Sequence, residues 1–209
     1  MPLLPKMSSA FVGSLIIIII AITTSLGWVR PNPNVFQMSM HRLAINYYPN
    51  EGLNTQAAKT FAIILNDKRL KTTETLLEYG KFLKNIKSEG ADKILEEALL
   101  EQYELMNTKP EQPHPNRVAG QILTMLERKD QARVEFQKSL EKDEFRLKTA
   151  QADYAKFAAL RSMGETYLEM GDPQSALSRF KEAYQSTLDS RSRLLAQIWI
   201  NKIEGKDKR

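Results

Sequence analysis

A stretch without any charged residue, Met7 to Val29, constrains the fold of this chain more than any other feature of its sequence. Its centre is almost continuous isoleucine, and about 20 apolar residues suffice for a helix to cross the hydrocarbon core of a bilayer. Trp28 and Arg30 close the stretch, as aromatic and basic residues do at membrane surfaces. We therefore predict a transmembrane helix over 10–29, retained as a signal anchor behind a short N-terminal tail, 1–9.

A cleaved signal peptide is the alternative, because Ser25, Leu26 and Gly27 form an acceptable cleavage site. The apolar stretch exceeds the roughly 7–15 residues usual in a signal peptide, which favours retention. The flanking charges, Lys6 and Arg30, orient the helix only weakly. A short tail before a long domain favours a single-pass protein of the bacterial inner membrane with its domain in the periplasm. The absence of cysteine is compatible with that oxidising space.

Local pattern divides the rest of the 209-residue chain. Prolines make 30–34 a stiff spacer and 107–116 a linker. Apolar residues at helical spacing fill the subdomain 35–106 and the segment 117–204, and no alternating strand pattern appears. Within the subdomain, helices are predicted over 35–48, 55–68, 73–87 and 91–106. With a basic tail at 205–209, the expected fold is all-α, a transmembrane helix followed by antiparallel helical hairpins.

Two segments after the linker share one spacing of small and aromatic residues. In each, a glycine is followed twelve residues later by an alanine and four after that by a phenylalanine, as in Gly120, Ala132, Phe136 and in Gly164, Ala176, Phe180. This spacing is typical of two packed helices in which the glycine allows close approach and faces the alanine. The copies lie 44 residues apart, so we expect lengthened helices around 143–157.

The second copy resembles the tetratricopeptide repeat over 160–190, where Tyr167 and Ala183 also match the signature. The first copy matches less well, with Ser139 in place of the usual alanine and Glu127 where glycine is common. The helices of 73–106 carry Gly80 and Ala98 but not the spacing, so they are at best a degenerate repeat. The resemblance implies an α-solenoid, closed by a capping helix over 189–203, whose groove binds a peptide or a partner protein.

The groove of such a stack would be lined by the first helix of each hairpin. Core spacing then leaves six side chains for its surface: Arg117, Gln121, Thr124, Arg161, Glu165 and Leu168. The two arginines would favour an acidic or C-terminal peptide segment, since a guanidinium holds a carboxylate through two hydrogen bonds. The alternative is that both arginines are solvated or pair with nearby glutamates.

No pattern of a catalytic, cofactor or metal site stands out. Cysteine is absent, His41 and His114 lack evident partners, and no glycine-rich phosphate loop occurs. Met38, Met40 and His41 are ligand types that suit Cu(I), but Met38 and Met40 point apart on a helix. The net charge of +5 comes from interleaved Lys and Glu without a concentrated basic patch, so no nucleic-acid partner is expected.

The expected function is that of a membrane-anchored scaffold that binds protein partners of an envelope membrane complex. It would contact the lipid bilayer through 10–29, need no cofactor and catalyse no reaction. A permanent structural subunit of a larger membrane complex, packed through its transmembrane helix, is the main alternative. A copper metallochaperone that uses Met38, Met40 and His41 is a minor one.

Overall fold

The structure is a computed structural model that describes residues 43–44, 48–49, 52–66 and 71–206. Eight α-helices and no strand lie within these ranges, which confirms the all-α class for this part of the chain. The helices are α1 (Asn54–Asn66), α2 (Thr73–Asn85), α3 (Ala91–Thr108), α4 (His114–Met125), α5 (Lys129–Thr149), α6 (Asp153–Glu169), α7 (Pro173–Gln185) and α8 (Ser190–Ile203). The chain divides into two compact units, Met1–Leu70 with α1 and Lys71–Arg209 with the other seven helices.

Several predicted features lie outside the described residues. These are the transmembrane helix over 10–29 with its alternative cleavage site, the spacer over 30–34, and all but three residues of the helix over 35–48. The candidate copper ligands Met38, Met40 and His41 lie outside them too. In the described ranges, no helix is both long and apolar enough to cross a membrane.

Helices α2, α3 and α8 begin and end within two residues of the helices predicted over 73–87, 91–106 and 189–203. The predicted linker over 107–116 is shorter in the structure, because α3 continues to Thr108 and α4 already begins at His114. Pro115 lies in the first turn of α4, where a missing amide donor costs little. Helices α3 and α4 pack against each other across this segment.

Neighbouring helices in the second unit pack against each other in chain order, and α4 also contacts α6. This is the stacking of helical hairpins in a tetratricopeptide-like α-solenoid. Helix α5 has 21 residues and ends at Thr149, and α6 begins at Asp153 with 17. The prediction of lengthened helices around 143–157 is therefore confirmed. We call 143–157 the extension.

One turn recurs at the end of the first helix of each hairpin. Lys87, Glu127 and Gly171 follow α2, α4 and α6 and have φ values of 55°, 62° and 76°. In each case the next amide donates to a carbonyl five residues earlier, at 2.8–2.9 Å, as in a Schellman ending. Helix α8 ends in the same way, with φ 68° at Gly205 and a bond of 2.8 Å from the Lys206 amide to the Asn201 carbonyl. Helix α8 also packs on α7, so it takes the place of a first helix in the stack.

A glycine of the first helix meets a large side chain of the second in three hairpins. A Cβ atom added at Gly120 would lie 2.5 Å from the Phe136 ring, and one at Gly164 would lie 2.8 Å from the Phe180 ring. Gly80 has the same relation to Leu95. The degenerate hairpin α2–α3 is thus packed like the two better-matched ones.

The side chain nearest to each of these glycines is a phenylalanine, not the alanine, Ala132 or Ala176, that was expected to face it. The three atoms closest to each added Cβ belong to the phenylalanine one turn further on. A helical side chain covers the surface on the N-terminal side of its own Cα, so the Phe180 ring lies over the turn that contains Ala176. Both alanines are nevertheless buried.

The serine at the usual alanine position also has a contact of its own. Ser139 is fully buried, and its hydroxyl donates to the Pro113 carbonyl at 3.1 Å. A buried hydroxyl without a partner would destabilise the fold, and this bond gives Ser139 its partner while it links the start of α4 to α5.

Candidate partner-binding groove

The first helices α4, α6 and α8 line one open cavity of about 620 Å³, together with the start of α7. Its lining residues are Arg117, Gln121, Glu165, Leu168, Glu169, Pro173, Trp199, Lys202 and Ile203. We call it the C-terminal cavity. Its position is the one expected for the groove of a helical-repeat stack, in which the first helices form the floor.

A second cavity of about 540 Å³ lies between the turn before α4, the end of α5 and the middle of α6. Its lining residues are Glu111, Gln112, Pro113, His114, Arg117, Phe145, Arg146, Ala158, Arg161, Ser162 and Glu165. We call it the extension pocket, because Phe145 and Arg146 belong to the extension. The two cavities share Arg117 and Glu165.

The six predicted groove residues are distributed over both cavities. Four of them, Arg117, Gln121, Glu165 and Leu168, line the C-terminal cavity, and Arg161 lines the extension pocket. Thr124 lines neither, and its hydroxyl donates to the Gly120 carbonyl of its own helix at 2.9 Å. Partner binding by these residues stays a prediction.

Two of the groove's glutamates already have partners within the protein. The Arg117 guanidinium forms an ion pair with Glu165, which joins α4 to α6. Arg161 Nε lies 3.6 Å from the same carboxylate. Gln121 Nε2 donates to Glu169 Oε1 at 2.5 Å. The structure therefore shows the alternative reading of the arginines, in which both pair with a nearby glutamate.

The other end of the C-terminal cavity is apolar. Leu168, Trp199 and Ile203 pack against the core cluster that contains Phe180, and the Trp199 and Phe180 rings stack with centroids 5.5 Å apart. Lys202 Nζ lies 5.0 Å from the Trp199 ring centroid, and within the described residues it forms no ion pair. This end can accept an apolar side chain with a carboxylate beside it.

A buried carboxyl group lies next to the extension pocket. Asp143 has no exposed surface, its Oδ1 accepts from Arg146 at 3.0 Å, and its Oδ2 has no hydrogen-bond partner among the described residues. Burial raises the pKa of Asp143 to about 6, while hydrogen bonds from Ser162 and Arg146 oppose the shift. Burial and the charge of Arg117 lower the pKa of His114. At neutral pH, Asp143 is therefore mostly ionised and His114 is neutral.

The chemistry that this arrangement supports is recognition. In the part of the chain that the structure describes, no group of three or more His, Asp or Glu side chains could hold a metal ion. The pocket residues offer guanidinium donors, one lysine ammonium and apolar surface, which are the groups that hold a polypeptide segment.

Sequence reasoning missed most of the residues that line the two cavities, and five of these matter for binding. Trp199, Lys202 and Ile203 were assigned to a capping helix, and Phe145 and Arg146 to a helix extension. A signal for the first three exists, because Gly205 follows Gly171 by 34 residues, which is about the period of the tetratricopeptide repeat. Such spacing places α8 in register with α6 and hence on the floor of the groove.

Comparisons with known proteins add little to this description. No protein-family model and no curated protein matches the chain. Among solved structures the chain is similar to a crystal structure of MamA, with 18% sequence identity, coverage of 77% of this chain and 92% of that one, and a TM-score of 0.30. The tetratricopeptide-like class therefore rests on the recurring turns, glycine contacts and stacking order of this chain's own helices.

Proposed function

We propose that this chain is a membrane-anchored helical-repeat scaffold that binds a protein partner along α4, α6 and α8. The observation that carries the proposal is the open C-terminal cavity on the first helices, where Leu168, Trp199 and Ile203 stand beside Lys202. Apolar side chains around a cation suit a partner segment that carries an apolar anchor and a carboxylate. In this proposal the protein catalyses no reaction.

The anchor in this proposal is the charge-free stretch from Met7 to Val29. It would hold the helical domain at the bacterial inner membrane, with the domain in the periplasm, where it helps an envelope membrane complex to assemble. Two observations test the anchor: resistance of the protein to alkaline carbonate extraction, and N-terminal sequencing of the mature chain. A mature chain that begins at Trp28 would contradict it.

Binding in the cavity is tested with a charge reversal, Lys202→Glu. The tagged full chain is purified from its own cells in mild detergent, and the recovery of co-purifying proteins is measured. We expect Lys202→Glu to reduce recovery of the partner, because the cavity loses the ammonium group beside Trp199. The matched control is Arg133→Glu, which makes the same charge change on α5 at an exposed position that lines neither cavity. Equal recovery from all three proteins, each folded by circular dichroism, would remove the cavity from the mechanism.

A permanent structural subunit is the second candidate, favoured by apolar surface at the end of the stack. Leu188, Leu194 and Ile198 are 82%, 61% and 47% exposed, although terminal elements of such stacks need a polar outer face. A subunit would co-purify with one complex at constant stoichiometry in high salt. A scaffold that binds through Lys202 would be released as salt increases.

A further inference from the structure

Two guanidinium groups that line the extension pocket have buried donors without acceptors. Arg117 Nε and Arg161 Nε are both buried, and neither has a hydrogen-bond partner among the described residues. Buried polar atoms in folded proteins are nearly always hydrogen-bonded, so two such donors at one pocket are exceptions that need an explanation. Glu165 satisfies Arg117 through another nitrogen and lies 3.6 Å from Arg161 Nε, which is too far for a hydrogen bond.

Two of the guanidinium groups at the pocket share a single carboxylate. Arg117 and Arg161 both pair with Glu165, whereas Arg146 forms an ion pair with Asp143. Glu111 also lines the pocket, and it lines a smaller neighbouring cavity together with Lys138 and Lys142. Arg161 is 42% exposed, so a carboxylate from solution can reach it.

An exposed aromatic ring stands at the same pocket. Phe145 is 68% exposed and lines both the extension pocket and the smaller cavity. An exposed phenylalanine in a cavity next to arginine donors is the combination found at interaction surfaces rich in aromatic and arginine side chains. The pocket volume of about 540 Å³ lies within the range of small-ligand sites.

We propose that the extension pocket binds an acidic residue of a partner polypeptide at Arg161 and Arg117, with an adjacent aromatic side chain of the partner packed on Phe145. The proposal rests on the proposed function and adds a site on the opposite side of the Arg117–Glu165 ion pair. It assigns a role to the extension, which supplies Phe145 and which a repeat of regular length would lack.

The probe is a fluorescein-labelled peptide of alternating glutamate and phenylalanine with both ends capped. Its binding to the full chain in mild detergent is measured by fluorescence anisotropy. One comparison peptide replaces glutamate with glutamine. Another keeps glutamine but has a free C-terminal carboxylate, which distinguishes a side-chain carboxylate from a chain end. We expect the acidic peptide to bind at least about tenfold more tightly than the capped glutamine peptide, as charge-assisted hydrogen bonds contribute about 1.5–3 kcal/mol.

Four variants locate the binding. Arg161→Gln should weaken binding of the acidic peptide about tenfold, and Phe145→Ala should weaken it several-fold. The controls are Arg128→Gln, which changes an arginine that pairs with Glu96 and lines neither cavity, and Tyr154→Ala. Tyr154 is an aromatic residue of the same extension that is 76% exposed and does not line the pocket. Both controls should bind like the parent.

Equal binding of the acidic and the capped glutamine peptides, or unchanged binding to Arg161→Gln, would overturn the proposal. So would equal losses in Phe145→Ala and Tyr154→Ala, because the effect would then come from the extension in general. Tight binding only to the peptide with a free C-terminus would replace the acidic side chain with a chain end. Failure of the peptide to bind, while partner recovery still depends on Lys202, would reject this pocket and leave the proposed function standing.

Discussion

The contact between Gly164 and Phe180 can be tested by adding one methyl group, in the variant Gly164→Ala. A Cβ atom at this position would lie 2.8 Å, 2.9 Å and 3.0 Å from three atoms of the Phe180 ring. The ring has little freedom to move, since Phe180 is fully buried and stacks on Trp199 with ring centroids 5.5 Å apart. The added methyl group therefore overpacks the centre of the hairpin α6–α7.

The magnitude follows from two opposing effects. Overpacking of a filled core costs about 1–3 kcal/mol, whereas alanine in place of glycine in a helix gains about 1 kcal/mol. Contacts of 2.8–2.9 Å place the cost in the upper half of its range, so we expect Gly164→Ala to lower the free energy of unfolding by about 1–2 kcal/mol. Urea unfolding followed by circular dichroism measures this change. Gly90→Ala is the control, because a Cβ there meets only Ser88 Oγ at 4.0 Å, and its effect should stay within about 0.5 kcal/mol.

A double variant separates overpacking from a change in helix propensity. Phe180→Leu makes room next to residue 164, so Gly164→Ala should cost less in that background, with a coupling energy of about 1 kcal/mol. If Gly164→Ala is as stable as the parent, or if the two changes are additive, the close contact does not hold the hairpin together and the repeat assignment loses its physical basis.

Two further changes test the backbone and the buried carboxyl group. Glu127→Gly should raise the free energy of unfolding by about 0.5–1 kcal/mol in a urea titration, because a φ of 62° costs a residue with a Cβ about 1–2 kcal/mol and glycine adopts it freely. A loss of stability would mean that the Glu127 side chain has a contact that outweighs the strain. Asp143 has a folded pKa of about 6, above its usual 3.8, so its ionisation should lower stability as pH rises from about 4 to about 6. Asp143→Asn should remove that loss and raise the free energy of unfolding at pH 7 by up to about 3 kcal/mol. If the free energy of unfolding of variant and parent changes with pH in parallel, Asp143 ionises without cost.

The hairpins could be predicted from sequence where one short-range rule sets the packing. Within a hairpin, the distance along the chain from the glycine to the ring that covers it depends on the turn alone. It is 16 residues from Gly120 to Phe136 and again from Gly164 to Phe180. Because this distance occurs twice in the sequence, the repeat could be recognised. Spacing alone could not show which side chain lies nearest to the glycine, because a ring on the second helix reaches back over the preceding turn.

The sequence predicts the helices of the hairpin α2–α3, but it does not show the repeat spacing there, because the residues differ while the geometry is the same. Leu95 takes the place of the phenylalanine, 15 residues after Gly80. Lys87 has a positive φ where a glycine is expected. A leucine can fill the same space as a ring, and a single left-handed residue without glycine costs only about 1–2 kcal/mol. The fold tolerates such changes, so a hairpin can keep its packing when its sequence no longer matches the repeat signature.

The state of the groove arginines depends on contacts between hairpins. Arg117 and Glu165 are 48 residues apart and form an ion pair only because α4 and α6 stack side by side. The sequence predicts that Arg117 and Glu165 both lie on the groove, since each has a fixed position in its own helix. It could not show that Glu165 also approaches Arg161, because that depends on side-chain geometry at the surface.

The irregular length of the repeats explains where a new site can arise. The left-handed turn residues Lys87, Glu127 and Gly171 are 40 and 44 residues apart, and Gly205 follows 34 after the last. The packing of glycine on its large neighbour fixes the length of each hairpin, so additional residues are accommodated after that contact and before the next one. The additional residues between Phe136 and Gly164 lengthen α5 and α6. A pocket with its own side chains can form there without disturbing either hairpin, and the extension pocket with Phe145 lies at that position.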